Sequence, residues 1–109
     1  MTFVSIDDFN KLDIRIGTIR SAESVPDTDK LLRLEVDFGD ETPRQILSGI
    51  AHYVEPAVLV GRQFPFIVNL EPRVIRGAVS NGMILAVGDG ETFALLSPTR
   101  PVSSGSRIR

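Results

Sequence analysis

Short runs of alternating apolar and polar residues constrain the fold of this chain more than any other feature. In residues 31–39, LLRLEVDFG, the side chains of Leu32, Leu34, Val36 and Phe38 fall on one face of an extended strand. Five further short apolar runs also predict strands, at residues 12–19, 44–50, 63–70, 83–89 and 92–98. The spacing therefore predicts an all-β domain of five or six short strands.

Two residues within these runs predict irregular strands. Gly17 interrupts LDIRIGTI (12–19), which suggests the bulge or sharp coil with which a barrel strand bends across two halves of its sheet. Pro65 lies in QFPFIVNL (63–70) and has no N–H to donate to a ladder, so it predicts an edge or a bulge.

Helical signals are few. Ser5, followed three residues later by Asp8, predicts the N-cap of a short helix. Residues 51–61 break the alternation and predict a short helical connection interrupted by Pro56. A small closed β-barrel fits this order, and the five-stranded OB-fold barrel fits best, with an SH3-like barrel or a sandwich as alternatives.

Composition limits the classes of protein that the chain can belong to. Its 109 residues fit a single domain, 1–109. It contains no cysteine, which fits a reducing cytosol. Since no apolar run approaches about 18 residues and the N-terminus lacks a signal-peptide pattern, we expect a cytoplasmic protein that does not enter a membrane.

Charge is distributed unevenly along the chain. The formal net charge is −2, which argues against a protein that coats nucleic acid non-specifically. Residues 1–60 carry 6 basic and 11 acidic side chains, whereas residues 61–109 carry 6 basic and 3 acidic ones. The C-terminal half can therefore present a local positive face.

No catalytic constellation is visible. His52 is the only histidine, and it lies in the connector at 51–61 without a nucleophile or metal-ligand partner. Asp40 and Glu41 stand on a turn, where two carboxylates are usually solvated. We expect no enzyme activity, no metal site and no cofactor.

The segment 69–83, NLEPRVIRGAVSNGM, carries most of the residues that can bind a ligand. Arginine forks suit phosphate and can stack on bases, and Asn69 can read a base edge or hold a backbone. The candidate residues in this segment are Asn69, Arg73, Arg76, Ser80 and Met83. Composition alone favours the alternative, a strand connection with arginines exposed for solubility.

Three residues outside that segment can extend the patch. They are Lys30, at the end of a loop, and Arg44 and Ser48, in the third strand run. Taken singly, the two basic residues are more typical of solvated charges and Ser48 of a packed strand residue.

Nearly the whole chain resembles the tRNA-binding OB-fold domain family. That family includes the C-terminal domain of bacterial methionyl-tRNA synthetase, stand-alone structure-specific tRNA-binding proteins and a branch proposed to act as secretion chaperones. The resembling segments lie at 8–26, 29–41, 44–56, 59–86 and 95–109.

The resemblance implies an OB-fold with N- and C-terminal extensions that build a homodimer. It also implies binding of tRNA by shape near its outer elbow, because RNA duplexes display shape, phosphates and 2′-hydroxyls rather than sequence. Our candidates for the dimer seam are the apolar residues of the two extensions, Phe3, Val4, Ile6, Phe9, Val102 and Ile108. Their alternative role is to cap the barrel ends within one subunit.

The family's binding positions match residues of this chain. Those of the core motif are Asn69, Arg73, Ser80 and Met83, and those of neighbouring segments are Lys30, Arg44, Ser48 and Arg76. The chain departs from the family at Val74, where many members place a lysine, and this loss weakens the expected contact with phosphate.

The sequence thus predicts a non-catalytic, shape-specific tRNA-binding module that acts as a homodimer. We expect it to be free-standing, because the chain starts at Met1 and ends in the family's usual tail, with an aminoacyl-tRNA synthetase as a candidate partner. One rival is chaperone-like binding of unfolded or export-bound polypeptides on the same barrel face. Another is a dimerisation appendage with little affinity for RNA.

Overall fold

The computed structural model describes all 109 residues, Met1–Arg109. One short helix, α1 (Ile6–Phe9), precedes the strands. The strands are β1 (Ile14–Ser24), β2 (Leu32–Asp37), β3 (Arg44–Ser48), β4 (Gln63–Ile67), β5 (Arg73–Ile75), β6 (Ala78–Ser80), β7 (Met83–Ile84), β8 (Ala86–Val87) and β9 (Ala94–Leu95). No helix is long and apolar enough to cross a bilayer.

Five antiparallel strands form the main sheet, in the order β3-β2-β1-β4-β7. The sheet curls into a nearly closed barrel. Its two ends meet where β3 contacts the segment before β7, since Asn81 N–H donates to Gln45 O at 2.9 Å. The β5–β6 hairpin and the β8–β9 pair lie outside this sheet. The predicted OB-like barrel is confirmed.

The barrel core follows the alternation of β2. Leu32, Leu34, Val36 and Phe38 are all buried, as the sequence predicts. They pack in one cluster with residues of the other barrel strands, among them Ile19, Ile46, Phe64, Phe66 and Ile84.

Gly17 lets β1 pack closely against β2. A Cβ on Gly17 would meet Val36 and would lie 2.7 Å from the Phe38 ring. The register shift of β1 occurs between Ile19 and Ser21, beyond Gly17. The predicted irregularity is therefore present in the strand, but the role of Gly17 is to leave room for two core side chains.

The C-terminal tail adds to the free edge of the first half of β1. Ile16 N–H donates to Ser106 O at 2.8 Å, and Ile108 N–H donates to Ile14 O at 2.8 Å. Ile14 and Ile16 are buried outside the main core cluster. The alternating side chains Ile14 and Ile16 thus lie on the side of β1 away from the barrel core, whereas Gly17 and Ile19 face the core.

Two local expectations need correction. Residues 51–61 do contain a short helical element, the 3-10 helix Pro56–Val58, but Pro56 begins this helix and does not interrupt it, because a missing N–H costs nothing at the first position. Pro65 is not on an edge strand, since β4 lies between β1 and β7. The pairing with β7 covers only Phe66 and Ile67, so Pro65 lies where that ladder ends.

The 83–89 run also differs from one continuous strand. Leu85 N–H still donates to Pro65 O at 3.0 Å, but Ala86 pairs with Leu95 of β9. The run leaves the barrel after Leu85, which divides it into β7 and β8.

We predict that Gly17→Ala destabilises the barrel by roughly 1–3 kcal/mol, because the added methyl group overpacks a filled core. Urea unfolding measures the change. Gly49→Ala is the matched control, since a Cβ there has only Lys30 O, at 4.0 Å, as a neighbour. Equal stability of Gly17→Ala and the wild-type protein would contradict this assignment.

Candidate functional site

The β5–β6 hairpin presents Arg76 at its tip. Ile75 pairs with Ala78, and the two residues between them, Arg76 and Gly77, have φ of 52° and 79°. Two consecutive positive φ values are typical of the type I′ turn, whose twist matches that of the strands. The left-handed conformation costs a residue with a Cβ on the order of 1 kcal/mol. An exposed arginine is therefore held at the tip despite an unfavourable backbone.

A cleft of about 440 Å³ opens beside this hairpin. The structure brings three of the predicted site residues to its walls, Arg73, Ser80 and Met83. Gly82 closes its base, with φ of 141°, and a Cβ there would lie 3.0 Å from Ile67 O. The glycine of the SNGM sequence is thus required by the close approach to β4.

The Ser80 hydroxyl supports the cleft from inside. Ser80 is only 2% exposed, accepts from Leu47 N–H at 3.0 Å and donates to Gly82 O at 3.2 Å. Its hydroxyl satisfies the edge of β3 and fixes the turn before β7. The hydroxyl thus accepts one hydrogen bond and donates another within the protein.

Asn69 holds the backbone of the N-terminal segment. Its Oδ1 accepts from Asp13 N–H, and its Nδ2 donates to Lys11 O, both at 2.7 Å. The sequence allows Asn69 either to read a base edge or to hold a backbone. These two hydrogen bonds hold a backbone, and we call the arrangement a backbone clamp. The clamp connects the end of β4 to the start of β1.

The side chains of Arg44 and Ser48 lie on the same side of β3 as the buried Ile46. They pair with the core residues Val36 and Leu32. The Arg44 guanidinium lies across the end of the barrel, where Nη1 donates to Val68 O at 2.7 Å and the group lies 5.7 Å from the Phe38 ring centroid. Arg44 is therefore partly a structural residue.

Lys30 and Ser48 lie at the opposite end of β3 from Arg44. Lys30 is exposed in the loop before β2, and its carbonyl accepts from Ala51 N–H at 3.1 Å. Four residues of strand separate Arg44 from Ser48, about 13 Å. The predicted residues thus follow the length of β3 and continue onto the hairpin, the region where OB barrels bind oligonucleotides.

The basic residues of the predicted site have no acidic partners. Of the 12 basic residues in the chain, five lie within 4.0 Å of a carboxylate, and these are Lys11, Arg15, Arg20, Arg33 and Arg107. Lys30, Arg44, Arg73 and Arg76 are not among them. These four residues form no ion pair, although Asp13 and Asp40 line a cleft with Arg44 and Glu71 lines the cleft with Arg73.

Asp37 illustrates the contrast. The backbone N–H of Gly39 and the guanidinium of Arg20 lower the pKa of Asp37 below its usual range. Asp37 therefore stays ionised and compensates Arg20, with 2.7 Å between Nη2 and Oδ2.

Val79 is a surface residue that sequence reasoning did not single out. It pairs with Val74 across the hairpin, and the two side chains are 43% and 72% exposed. The hairpin thus has an apolar outer face next to Arg73 and Arg76. Alternation along 73–75 and 78–80 could have revealed this pair.

The N-terminal arm leaves its apolar side chains in solvent. Phe3, Val4 and Ile6 are 85%, 76% and 70% exposed, and Phe9 is 37% exposed. They do not cap the barrel of their own subunit. Val102 and Ile108 instead line an apolar groove of about 340 Å³ with Ile16, Pro65 and Leu96.

Comparison with known proteins identifies similar chains. A family model described as a putative tRNA binding domain matches residues 14–107. A methionine–tRNA ligase of Helicobacter pylori is 47% identical over 97% of this chain, and one of Methanoregula boonei is 50% identical over 97%. The chain spans 16% of the length of each of these relatives.

Two solved structures share the fold over the full chain. A protein related to methionyl-tRNA synthetase from Pyrococcus horikoshii has a TM-score of 0.92 and 34% identity, with 100% of both chains covered. The chaperone CsaA of Bacillus anthracis has a TM-score of 0.87 and 32% identity, with 99% of this chain and 100% of that one covered.

We predict that Asn69→Ala destabilises the protein by about 1–2 kcal/mol, because two hydrogen bonds to the N-terminal backbone are lost. Thermal or urea unfolding measures this. Asn69→Asp retains the acceptor for Asp13 N–H but places a carboxylate oxygen against Lys11 O, so it is also expected to lose stability. Full stability of Asn69→Ala would show that the clamp contributes nothing.

Proposed function

We propose, because the chain belongs to the tRNA-binding domain family, that residues 1–109 act as one non-catalytic module that binds tRNA by shape. The observation that carries this proposal is the set of four basic side chains without carboxylate partners along β3 and the β5–β6 hairpin. Uncompensated charge suits a polyanion, and phosphate contacts dominate affinity for nucleic acids.

Arg73 and Arg76 are proposed as the principal phosphate contacts. Arg73 stands in the wall of the cleft and Arg76 at the hairpin tip, and a guanidinium fork fits a phosphate with two hydrogen bonds. Lys30 adds a third charge at the other end of the surface. These contacts position RNA without reading its sequence, which agrees with recognition by shape.

Met83 is proposed to contact a sugar or an exposed base. It is 39% exposed in the same cleft as Arg73, and its flexible thioether adapts to irregular surfaces. The remaining predicted residues, Arg44, Ser48, Asn69 and Ser80, are proposed to shape the surface, with Arg44 also adding charge at the barrel end.

We also propose that the module works as a homodimer. The exposed arm residues Phe3, Val4 and Ile6 present apolar area that their own subunit does not cover. The groove lined by Val102 and Ile108 offers an apolar surface that a second copy can cover. Two RNA-binding surfaces on one particle raise avidity without new contacts.

A synthetase is the partner that the comparisons favour. The relatives are named methionine–tRNA ligases, and this chain corresponds to 16% of their length. We propose that the module delivers or retains tRNA for such an enzyme in the cytoplasm, with the chemistry in other domains.

Chaperone-like binding of polypeptides is the second candidate. Two observations favour it: the likeness to the chaperone CsaA and the exposed Val74–Val79 pair on the hairpin. Competition separates the two candidates. If tRNA fails to displace an unfolded peptide that binds well, the polypeptide-binding function replaces the tRNA-binding one.

We predict that total tRNA binds with a slope of about −2 to −4 in a plot of log affinity against log salt, as expected for three or four phosphate contacts. Arg73→Ala should weaken binding and reduce the magnitude of the slope by about 1, without lowering the thermal midpoint. Filter binding at several salt concentrations measures both quantities. Arg20→Ala is the control, since Asp37 already compensates that arginine. Salt-independent binding would refute the proposal.

We predict that the double substitution Phe3→Ser and Val4→Ser converts the dimer to a monomer, because it removes the exposed apolar area of the arm. Sedimentation velocity measures the mass. Val79→Ser is the control, as an exposed apolar residue on the hairpin. A wild-type protein that sediments as a monomer would exclude the homodimer.

A further inference from the structure

A second basic cleft lies on the side of the barrel where the tail joins β4. It has a volume of about 380 Å³ and is lined by nine residues, none of them acidic. Arg62 and Arg100 both stand in its walls, and Ser97 and Thr99 add hydroxyl groups. Neither arginine lies within 4.0 Å of a carboxylate, so the cleft carries two uncompensated positive charges.

Hydrogen bonds hold the two walls of this cleft together. Gln63, next to Arg62, donates from Nε2 to Val102 O at 2.6 Å and accepts at Oε1 from Val102 N–H at 3.0 Å. The Arg62 wall is also fixed to β1, since Gly61 N–H donates to Ile19 O at 2.8 Å. The segments that carry the two arginines therefore keep a fixed separation.

The Arg62 side chain is itself oriented. Its guanidinium carbon lies 5.3 Å from the centroid of the Phe64 ring, a distance at which a cation is attracted to an aromatic face. An arginine held in this way loses less side-chain freedom when it binds a ligand. Together with Arg100 and the hydroxyl groups of Ser97 and Thr99, the oriented Arg62 suits a phosphate, which accepts several hydrogen bonds.

We call this cleft the tail cleft. We infer that it binds a phosphate group of the same RNA that is proposed to bind along β3 and the β5–β6 hairpin. The inference rests on the proposed tRNA-binding function. Arg62 and Asn69 lie beyond the two ends of β4, so the tail cleft and the Arg73 cleft are roughly 20 Å apart along the strand. A tRNA held at both places is fixed in orientation as well as in position, which one cluster of charges cannot achieve.

The test is the salt dependence of tRNA binding by the double variant Arg62→Gln/Arg100→Gln. We expect weaker binding and a log–log slope reduced in magnitude by about 1–2, since one or two phosphate contacts are lost. The double variant Arg20→Gln/Arg109→Gln removes the same net charge elsewhere, and its slope should stay close to that of the wild-type protein.

Four results with the wild-type protein and these variants would overturn the inference. A tail-cleft variant that keeps the wild-type slope, while the wild-type protein binds tRNA, overturns this inference alone. An equal change in the control variant means that net charge, and not the cleft, is responsible. Ser97 and Pro98 line both the tail cleft and the groove proposed for the dimer, so a changed mass of the tail-cleft variant in sedimentation means that the cleft faces a second copy of the chain. A wild-type protein that binds no tRNA overturns the proposed function as well.

Titration with inorganic phosphate distinguishes RNA from a free anion. Amide signals of Gly61 and Thr99 should shift in NMR spectra on addition of either phosphate or tRNA, and phosphate should compete with tRNA. Shifts with phosphate but none with tRNA would show a site for a small anion, and the inference would be wrong.

Discussion

The close approach of β1 to β2 at Gly17 is the constraint on which the rest of the structure depends. Because Gly17 has no side chain, Val36 and Phe38 fill the space against β1 and close the core. β1 pairs with β4 along its first half, with β2 beyond Thr18, and with the tail on its remaining edge. β3, which carries Arg44, is attached to β1 through β2, and the β5–β6 hairpin is in turn held to β3.

The site depends on this scaffold through polar side chains that face the protein. Asn69 joins the end of β4 to the segment before β1, and Ser80 joins the end of the hairpin to β3. Arg44 seals the barrel end beneath them. The polar groups of these three residues are already hydrogen-bonded within the protein. They position the backbone, whereas the arginines that project into solvent are the groups proposed to bind the ligand.

Alternation predicted the barrel well, because a period of two identifies the buried face of a strand without tertiary information. It identified the four buried residues of β2, and the separate capping pattern of Ser5 and Asp8 identified the short helix. The sequence did not predict that Pro56 begins the helical turn in 51–61, or that the 83–89 run leaves the barrel at Leu85. The second outcome depends on the pairing of Ala86 with Leu95 in the folded chain, and local patterns carry no such information.

For the site, residue type predicted the location better than the role. Arg73, Ser80 and Met83 do meet at one cleft. Asn69 and Ser80, however, form hydrogen bonds with the backbone. The side chains of Arg44 and Ser48 lie on the same side of β3 as the buried Ile46. The pairing of Val74 with Val79, and of Arg62 with Arg100 in one cleft, became visible only once the register and the path of the tail were known.

The left-handed Arg76 has a consequence for the way this surface can change. Asparagine or glycine suits that turn position better than arginine, so a substitution that relaxes the hairpin also removes a charge from its tip. Under the role proposed for Arg76, selection for thermal resistance and selection for RNA affinity act in opposite directions at this position. A variant library screened only for heat tolerance would be expected to lose the arginine first.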